Sequence, residues 1–217
     1  MTTRRIALVP AAALVLALAG CGGSGGTHES HASTSAARPS SASAAEAIDP
    51  KHSDADVEFA SMMIPHHEQA VDMAGMVEDG EAGQEVRSLA GRIEKAQAPE
   101  IERMSAMLSA WGEPVPTGDA HDMHGGHGGH GGHGGQGTDD PMPGMMSEAE
   151  MARLGTLRGE KFDRAWLTMM IEHHEGAVTM ARAELKDGEN PQARELAQQI
   201  LDAQEQEIDE MRGLLKR

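Results

Sequence analysis

The sequence predicts an all-α protein, a four-helix bundle made of two duplicated antiparallel helix hairpins with a long crossover loop. Three observations predict it. Aromatic residues make up 2% of the 217 residues and Tyr is absent, whereas sandwiches and barrels draw on aromatics for their strands. The chain matches itself without gaps at an offset of 107 residues. Within each copy the apolar residues recur at helical spacing between start and stop signals.

The repeat is long and specific. Phe59-Ala60-Ser61-Met62-Met63-Ile64-Pro65-His66-His67-Glu68-Gln69-Ala70-Val71-Asp72-Met73-Ala74 lies over the segment from Trp166 to Ala181, which carries Met169-Met170-Ile171-Glu172-His173-His174-Glu175. At the same offset Leu89, Ile93, Gln97, Glu100, Ile101 and Met104 lie over Leu196, Ile200, Gln204, Glu207, Ile208 and Met211. Each unit therefore reads as two helices.

The elements follow in order. Residues 1–20 read as a lipoprotein signal peptide: Arg4 and Arg5 precede the apolar run Ile6–Ala19, which is short for a membrane span. The run ends Leu18-Ala19-Gly20-Cys21, which resembles a lipobox, and Cys21 is the one Cys in the chain. An ordinary signal peptide with an incidental Cys is the alternative. Residues 21–50 form a flexible tether rich in Gly, Ser, Thr and Ala. The bundle spans residues 51–217, as a first hairpin 53–111, a His/Gly-rich loop 112–146 and a second hairpin 147–217. Ser53 and Asp56 have the spacing of a capping box, and the first helix is expected to run to about Asp79 and stop at Gly80. The second runs from about Gln84 to Trp111 and is closed by Gly112 and Pro114. Ser147 starts a short lead-in helix. The next long helix covers about Lys161 to Lys186, and Asn190-Pro191 caps and opens the last one.

At about 100° per residue, Met62, His66 and Met73 share a stripe facing the core, with Met63 beside it and His67 at its margin. Met169, His173, Met180, Met170 and His174 repeat the arrangement. Hairpins turning near residues 81–82 and 188–189 place Gln97 opposite His66 and Gln204 opposite His173, with Glu100 and Glu207 at the edge. Pro65 and Pro99 fall at this level and are expected to kink their helices. Two readings fit the constellation. It is a hydrogen-bonded polar layer with ordinary Met core around it, or it is a metal site. Thioether sulfur selects Cu(I), and imidazole suits copper, zinc or nickel, so copper is the metal such a site would take.

Between the units, His121, His124, His127, His130 and His133 are spaced mostly by Gly pairs. Such a tract cannot pack a core but can wrap an ion, Cu(II), Ni(II) or Zn(II) without much discrimination. A drifted linker or a segment that gains charge near pH 6 to 7 are the other readings.

The paired motifs Met-Met-Ile-x-His-His-Glu-x-Ala-Val-x-Met-Ala, each followed by Gln-x-x-Glu-Ile-x-x-Met, resemble the bacterial CopM-like family, long filed as a domain of unknown function and placed among ferritin-like bundles. The resemblance covers residues 53 to 217. It implies an exported ferritin-like four-helix bundle, with copper binding and tolerance in some members. By motif it carries to Met62, Met63, His66, His67, Met73, Met169, Met170, His173, His174 and Met180. The His-Gly loop is outside the family motif.

Composition narrows the function. With 35 acidic against 18 basic residues, a net charge of −17, nucleic acid is not an expected partner. A ferritin-like di-iron oxidase would need Glu-x-x-His on two helices. Met63, Ile64, Met170 and Ile171 stand three residues before the four His, so the chain does not read as that enzyme. A copper-handling protein on the outer face of a bacterial membrane is the leading expectation, and an envelope interaction or stress module with structural His is the alternative. Mass spectrometry of the mature protein is expected to find lipid on Cys21; an unmodified thiol, or cleavage elsewhere, would remove the anchor.

Overall fold

Helix starts show how directly local chemistry shapes this chain. In the computed structural model, which describes residues 47–116 and 142–217, the Ser53 hydroxyl accepts the Asp56 N–H while the Ser53 N–H donates to the Asp56 carboxylate at 2.6 Å. That closed capping box opens α1, Asp54–Gly75. Ser147 and Glu150 repeat the device at the start of α3, Glu148–Gly155. The Asn190 side chain accepts from the N–H groups of Gln192 and Ala193 at 3.0 Å each, with Pro191 in the first turn of α5, Pro191–Leu215. Two helices lack a capping side chain, α2, Gln84–Trp111, and α4, Glu160–Asp187. Gly112 ends α2 in the left-handed conformation, φ +81°, where a Cβ would be strained.

All the regular structure among the described residues is helical. The four long helices pair as α1 with α2 and α4 with α5, and the two hairpins meet mainly along α1 and α4. The expected signal peptide, Cys21, residues 21–46 and all five His of the His-Gly tract lie outside the described residues.

Two expectations need correction. The first helix stops at Gly75, not near Asp79, because tertiary contacts end it. Gly80 lies against the Phe162 ring, where a Cβ would overlap it, and the Gly80 carbonyl accepts the Gly159 N–H at 2.8 Å. The Gly83 N–H donates to the Asp163 carboxylate. Pro65 and Pro99 sit within α1 and α2 without ending either. Secondly, the expected tether ends before residue 50. The Asn190 amide donates to the carbonyls of Asp49 and Lys51, the Gln192 side chain pairs with Asp49 and Ala47, and the Trp111 indole N–H donates to the Asp49 carbonyl. Residues 47–51 are thus docked at the α4–α5 corner.

The core comes in two apolar clusters. One gathers Met73, Leu89, Ile93, Phe162, Trp166, Met170 and Met211; the other gathers Phe59, Met63, Ile64, Met104, Leu108, Ala181, Leu196 and Ile200. On every long helix a polar segment lies between the stretches feeding the two clusters: His66 and His67, Gln97, His173 and His174, and Gln204. The buried Trp166 N–H donates to the Met73 carbonyl at 2.8 Å, tying α4 to α1.

A second buried polar group lies at the α4–α5 corner. The Asp56 carboxylate accepts from the backbone N–H groups of Glu189 and Asn190. Burial alone would raise its pKa, but hydrogen bonds from Ser53, Glu184 and Asn190 outweigh it and hold it at about 2. Glu184, also buried, is pushed up to about 8 by burial and by the neighbouring Asp56 carboxylate. Folded Glu184 therefore keeps a proton between pH 4.5 and about 8 that the unfolded chain releases. Its contribution to stability falls as pH rises through that window. Glu184→Gln is expected to remove this slope, so that urea midpoints of wild type and variant lie close at pH 5 and the variant becomes the more stable at pH 8.5. Parallel profiles would show that Glu184 is ionised throughout.

Candidate metal centre

His66 and His67 are adjacent in sequence and so point about 100° apart round α1, yet both are fully buried. The same holds for His173 and His174 on α4. Two flanks of each helix are covered, α1 by α2 and α4, and α4 by α5 and α1. The buried arc is therefore wider than a single stripe, and His67 and His174 are not marginal.

The four rings form one layer. The His66 and His173 rings meet across α1 and α4, with centroids 3.8 Å apart and planes tilted by 40°. The His173 and His174 centroids are 6.3 Å apart. His67 Nε2 donates to Glu100 Oε2 at 2.8 Å, and His174 Nε2 donates to Glu207 Oε2 at the same distance. The two bonds are related by the 107-residue offset, and both carboxylates reach towards solvent, with side chains 19% exposed. A carboxylate that accepts from Nε2 leaves Nδ1 of a neutral ring as a lone pair. Nδ1 of His67 and Nδ1 of His174 are buried without a hydrogen-bond partner among the described residues.

The central pair differs. His66 Nε2 donates to the Pro143 carbonyl at 3.0 Å, and its Nδ1 has no partner. Among the described residues neither nitrogen of His173 has one. Burial holds the His66 pKa down at about 3, helped by the charge His67 can carry, and the Pro143 carbonyl only partly offsets this. Burial likewise pushes His173 well below the usual imidazole value, with His66 the next cause. Both central rings are neutral at pH 7, the state in which imidazole is a ligand. The Gln97 amide oxygen and nitrogen and the Gln204 amide oxygen complete the layer, again without partners. Buried polar atoms are almost always hydrogen-bonded, so a set this concentrated suits a ligand that accepts lone pairs.

Among the described residues, no three His, Cys, Asp or Glu side chains are grouped to hold one ion. Neutral imidazole nitrogens of this kind are ligands for copper, zinc or nickel. Of the methionines in the sequence reading, Met63, Met73 and Met170 are fully buried and Met180 nearly so. Met62 and Met169 are only half-buried, which corrects their expected place in the inward stripe. Met62 and Met180 line a cleft of about 240 Å³ with Glu184.

Sequence reasoning missed the segment that covers the layer. Residues 143–146 cross the α1–α4 seam. The Gln69 amide exchanges two hydrogen bonds with the Met146 backbone, at 2.7 and 2.8 Å. Gly144, φ +78°, lies so near the Glu172 carbonyl that a Cβ would meet it, and a Cβ on Gly176 would overlap the Pro143 carbonyl. Gln69 and Gly176 are equivalent positions of the repeat. The one mismatch inside the His-His-Glu-x-Ala-Val run was the available signal.

Residues 56–215 match the family model described as a domain of unknown function, DUF305. The chain belongs to the DUF305 family. Solved DUF305 structures are similar along most of the chain. One from Streptomyces coelicolor has 34% identity and a TM-score of 0.62 over 75% of this chain and 92% of that one. A fragment from Deinococcus radiodurans has 36% identity and a TM-score of 0.61 over 77% and 99%. CopM in its Cu(II)-bound form has 31% identity and a TM-score of 0.57 over 74% and 95%. Cu(I)-bound and Ag-bound forms of CopM also match, at 28% identity. No curated protein matches significantly.

In this DUF305 chain the seat for residues 143–146 is open to a direct test. Gly176→Ala is expected to destabilise the fold by about 1–3 kcal/mol, as overpacking does, with a lowered thermal midpoint. Gly91→Ala, on an exposed helix face with open space around it, should be neutral or stabilising. Equal melting of Gly176→Ala and wild type would mean that the segment can leave its seat freely.

Proposed function

We propose that this chain is an exported, lipid-anchored copper-binding protein that sequesters or hands on the ion through the buried histidine layer, with Cu(I) favoured. The observation that carries the reading is the set of four buried imidazoles at one level, each with an Nδ1 lacking any partner among the described residues. His66 and His173 meet across the seam, and Glu100 and Glu207 orient His67 and His174 from behind. A hydrogen-bonded carboxylate fixes the tautomer of a ligating imidazole and raises its basicity. The neutrality of the central pair means that no proton need be displaced near pH 7 before an ion binds. The likeness to CopM, solved with Cu(I), Cu(II) and Ag, supports the same choice of metal.

The remaining parts fit that role. The long helices suit a ferritin-like four-helix bundle, and no di-iron signature accompanies them, in keeping with a binding protein rather than an enzyme. Export and anchoring rest on the Leu18-Ala19-Gly20-Cys21 tetrad, and on the secreted assignment of the Streptomyces coelicolor relative. Among the described residues no helix is long and apolar enough to cross a membrane. The tract from His121 to His133 would capture Cu(II), Ni(II) or Zn(II) outside the bundle.

Titration of the mature protein with Cu(I) under reducing conditions, against a competing chromogenic chelator, tests the reading. The double variant His66→Ala with His173→Ala is expected to lose affinity at least about tenfold, whereas deleting residues 121–133 should leave the tight site intact. Unchanged affinity in the double variant would take the bundle out of metal binding.

A further inference from the structure

Beside the covered layer lies a surface cleft of about 700 Å³ whose lining is unusual. Four of its eleven lining residues are Met, namely Met142, Met145, Met146 and Met151, in a chain with 16 Met among 217 residues. Glu68, Asp72 and Glu148 also line it. Packing accounts for Met146, which is buried. It does not account for Met142 and Met145, which are half-buried along an open cleft and belong to neither core cluster, whereas Met151, also half-buried, packs against the core on one side and lines the cleft on the other.

The backbone sets where Met142 and Met145 stand. The Met145 N–H donates to the Met142 carbonyl at 3.1 Å, closing a turn that brings the two residues together. Gly144 takes the left-handed conformation inside that turn, and Gln69 clamps Met146. Met151 stands in α3, whose first turn carries Glu148. Thioethers are soft and uncharged, so they select Cu(I) or Ag(I) over zinc, calcium or magnesium. Carboxylates on the same wall supply the negative potential that draws a cation in.

We propose that Met142, Met145 and Met151 form a second site for a soft monovalent cation, at the surface and separate from the histidine layer. The turn that presents two of the thioethers also contains Pro143, whose carbonyl receives the His66 N–H. One connection thus serves both places, with the cleft as an outer station and the histidines as the inner one. The proposal extends the copper reading, but it stands on different residues and can fail separately.

Ag(I) added to the full-length mature protein, with the Met methyl groups labelled with carbon-13, provides the test. In the unmutated chain the methyl signals of Met142, Met145 and Met151 should shift with Ag(I) and stay in place with Zn(II). The variant carrying Met142→Leu, Met145→Leu and Met151→Leu should bind one Ag(I) fewer by equilibrium dialysis and metal analysis. The variant carrying His66→Ala and His173→Ala should keep the three methyl shifts. Unmoved methyl signals, equal shifts with Zn(II), or an unchanged Ag(I) count in a folded Leu variant would each overturn the proposal. Loss of the three shifts in the histidine variant would also overturn it, since the cleft would then not be a separate site. Retained shifts together with unchanged Cu(I) affinity in that variant would leave the cleft standing and remove the inner site.

Discussion

Four imidazoles buried at one level of an apolar core must have their nitrogens partnered or do without charge, and much of the surrounding structure answers that demand. Two rings are partnered from behind by Glu100 and Glu207, whose carboxylates remain near water and so avoid full desolvation. The central rings stay neutral because burial disfavours the imidazolium and four rings in close company would repel one another if charged. A buried layer of this kind adds little to hydrophobic stability. It divides one core into two, each closed by its own Met, Leu and Ile contacts.

The duplication explains why the layer is nearly symmetric, and the departures from symmetry show where the two copies have diverged. Both His–Glu pairs are preserved to the same distance. The centre is not symmetric, because a single connecting segment crosses two equivalent helices and can hydrogen-bond only one of them. The His66 N–H donates to the Pro143 carbonyl, and among the described residues neither ring nitrogen of His173 has a comparable partner.

Much of this was legible in the sequence, and the exceptions have physical reasons. Start signals are local, so Ser53, Ser147 and Asn190 could be placed as caps without knowing the fold. The gapless repeat gave the pairing of helices and the level at which His, Gln and Glu meet. The end of α1 was not legible, since it is set by Phe162 and Asp163 from a helix about eighty residues away in the chain. Burial of His67 was missed because a single amphipathic stripe assumes one covered flank, and α1 is covered on two. Residues 47–51 looked like linker by composition, yet their backbone carbonyls find donors on Asn190, Gln192 and Trp111. Backbone partners of this kind leave almost no mark on composition.

The Gly176 and Gln69 mismatch has a consequence beyond the site. The connector that crosses the seam between two copies of one hairpin meets the same repeat position on both sides. One copy supplies an amide that grips the connector, and the other supplies a backbone bare enough for the carbonyl to approach. A difference of one side chain between the repeats therefore gives the connector two unlike neighbours, one that holds it and one that makes room.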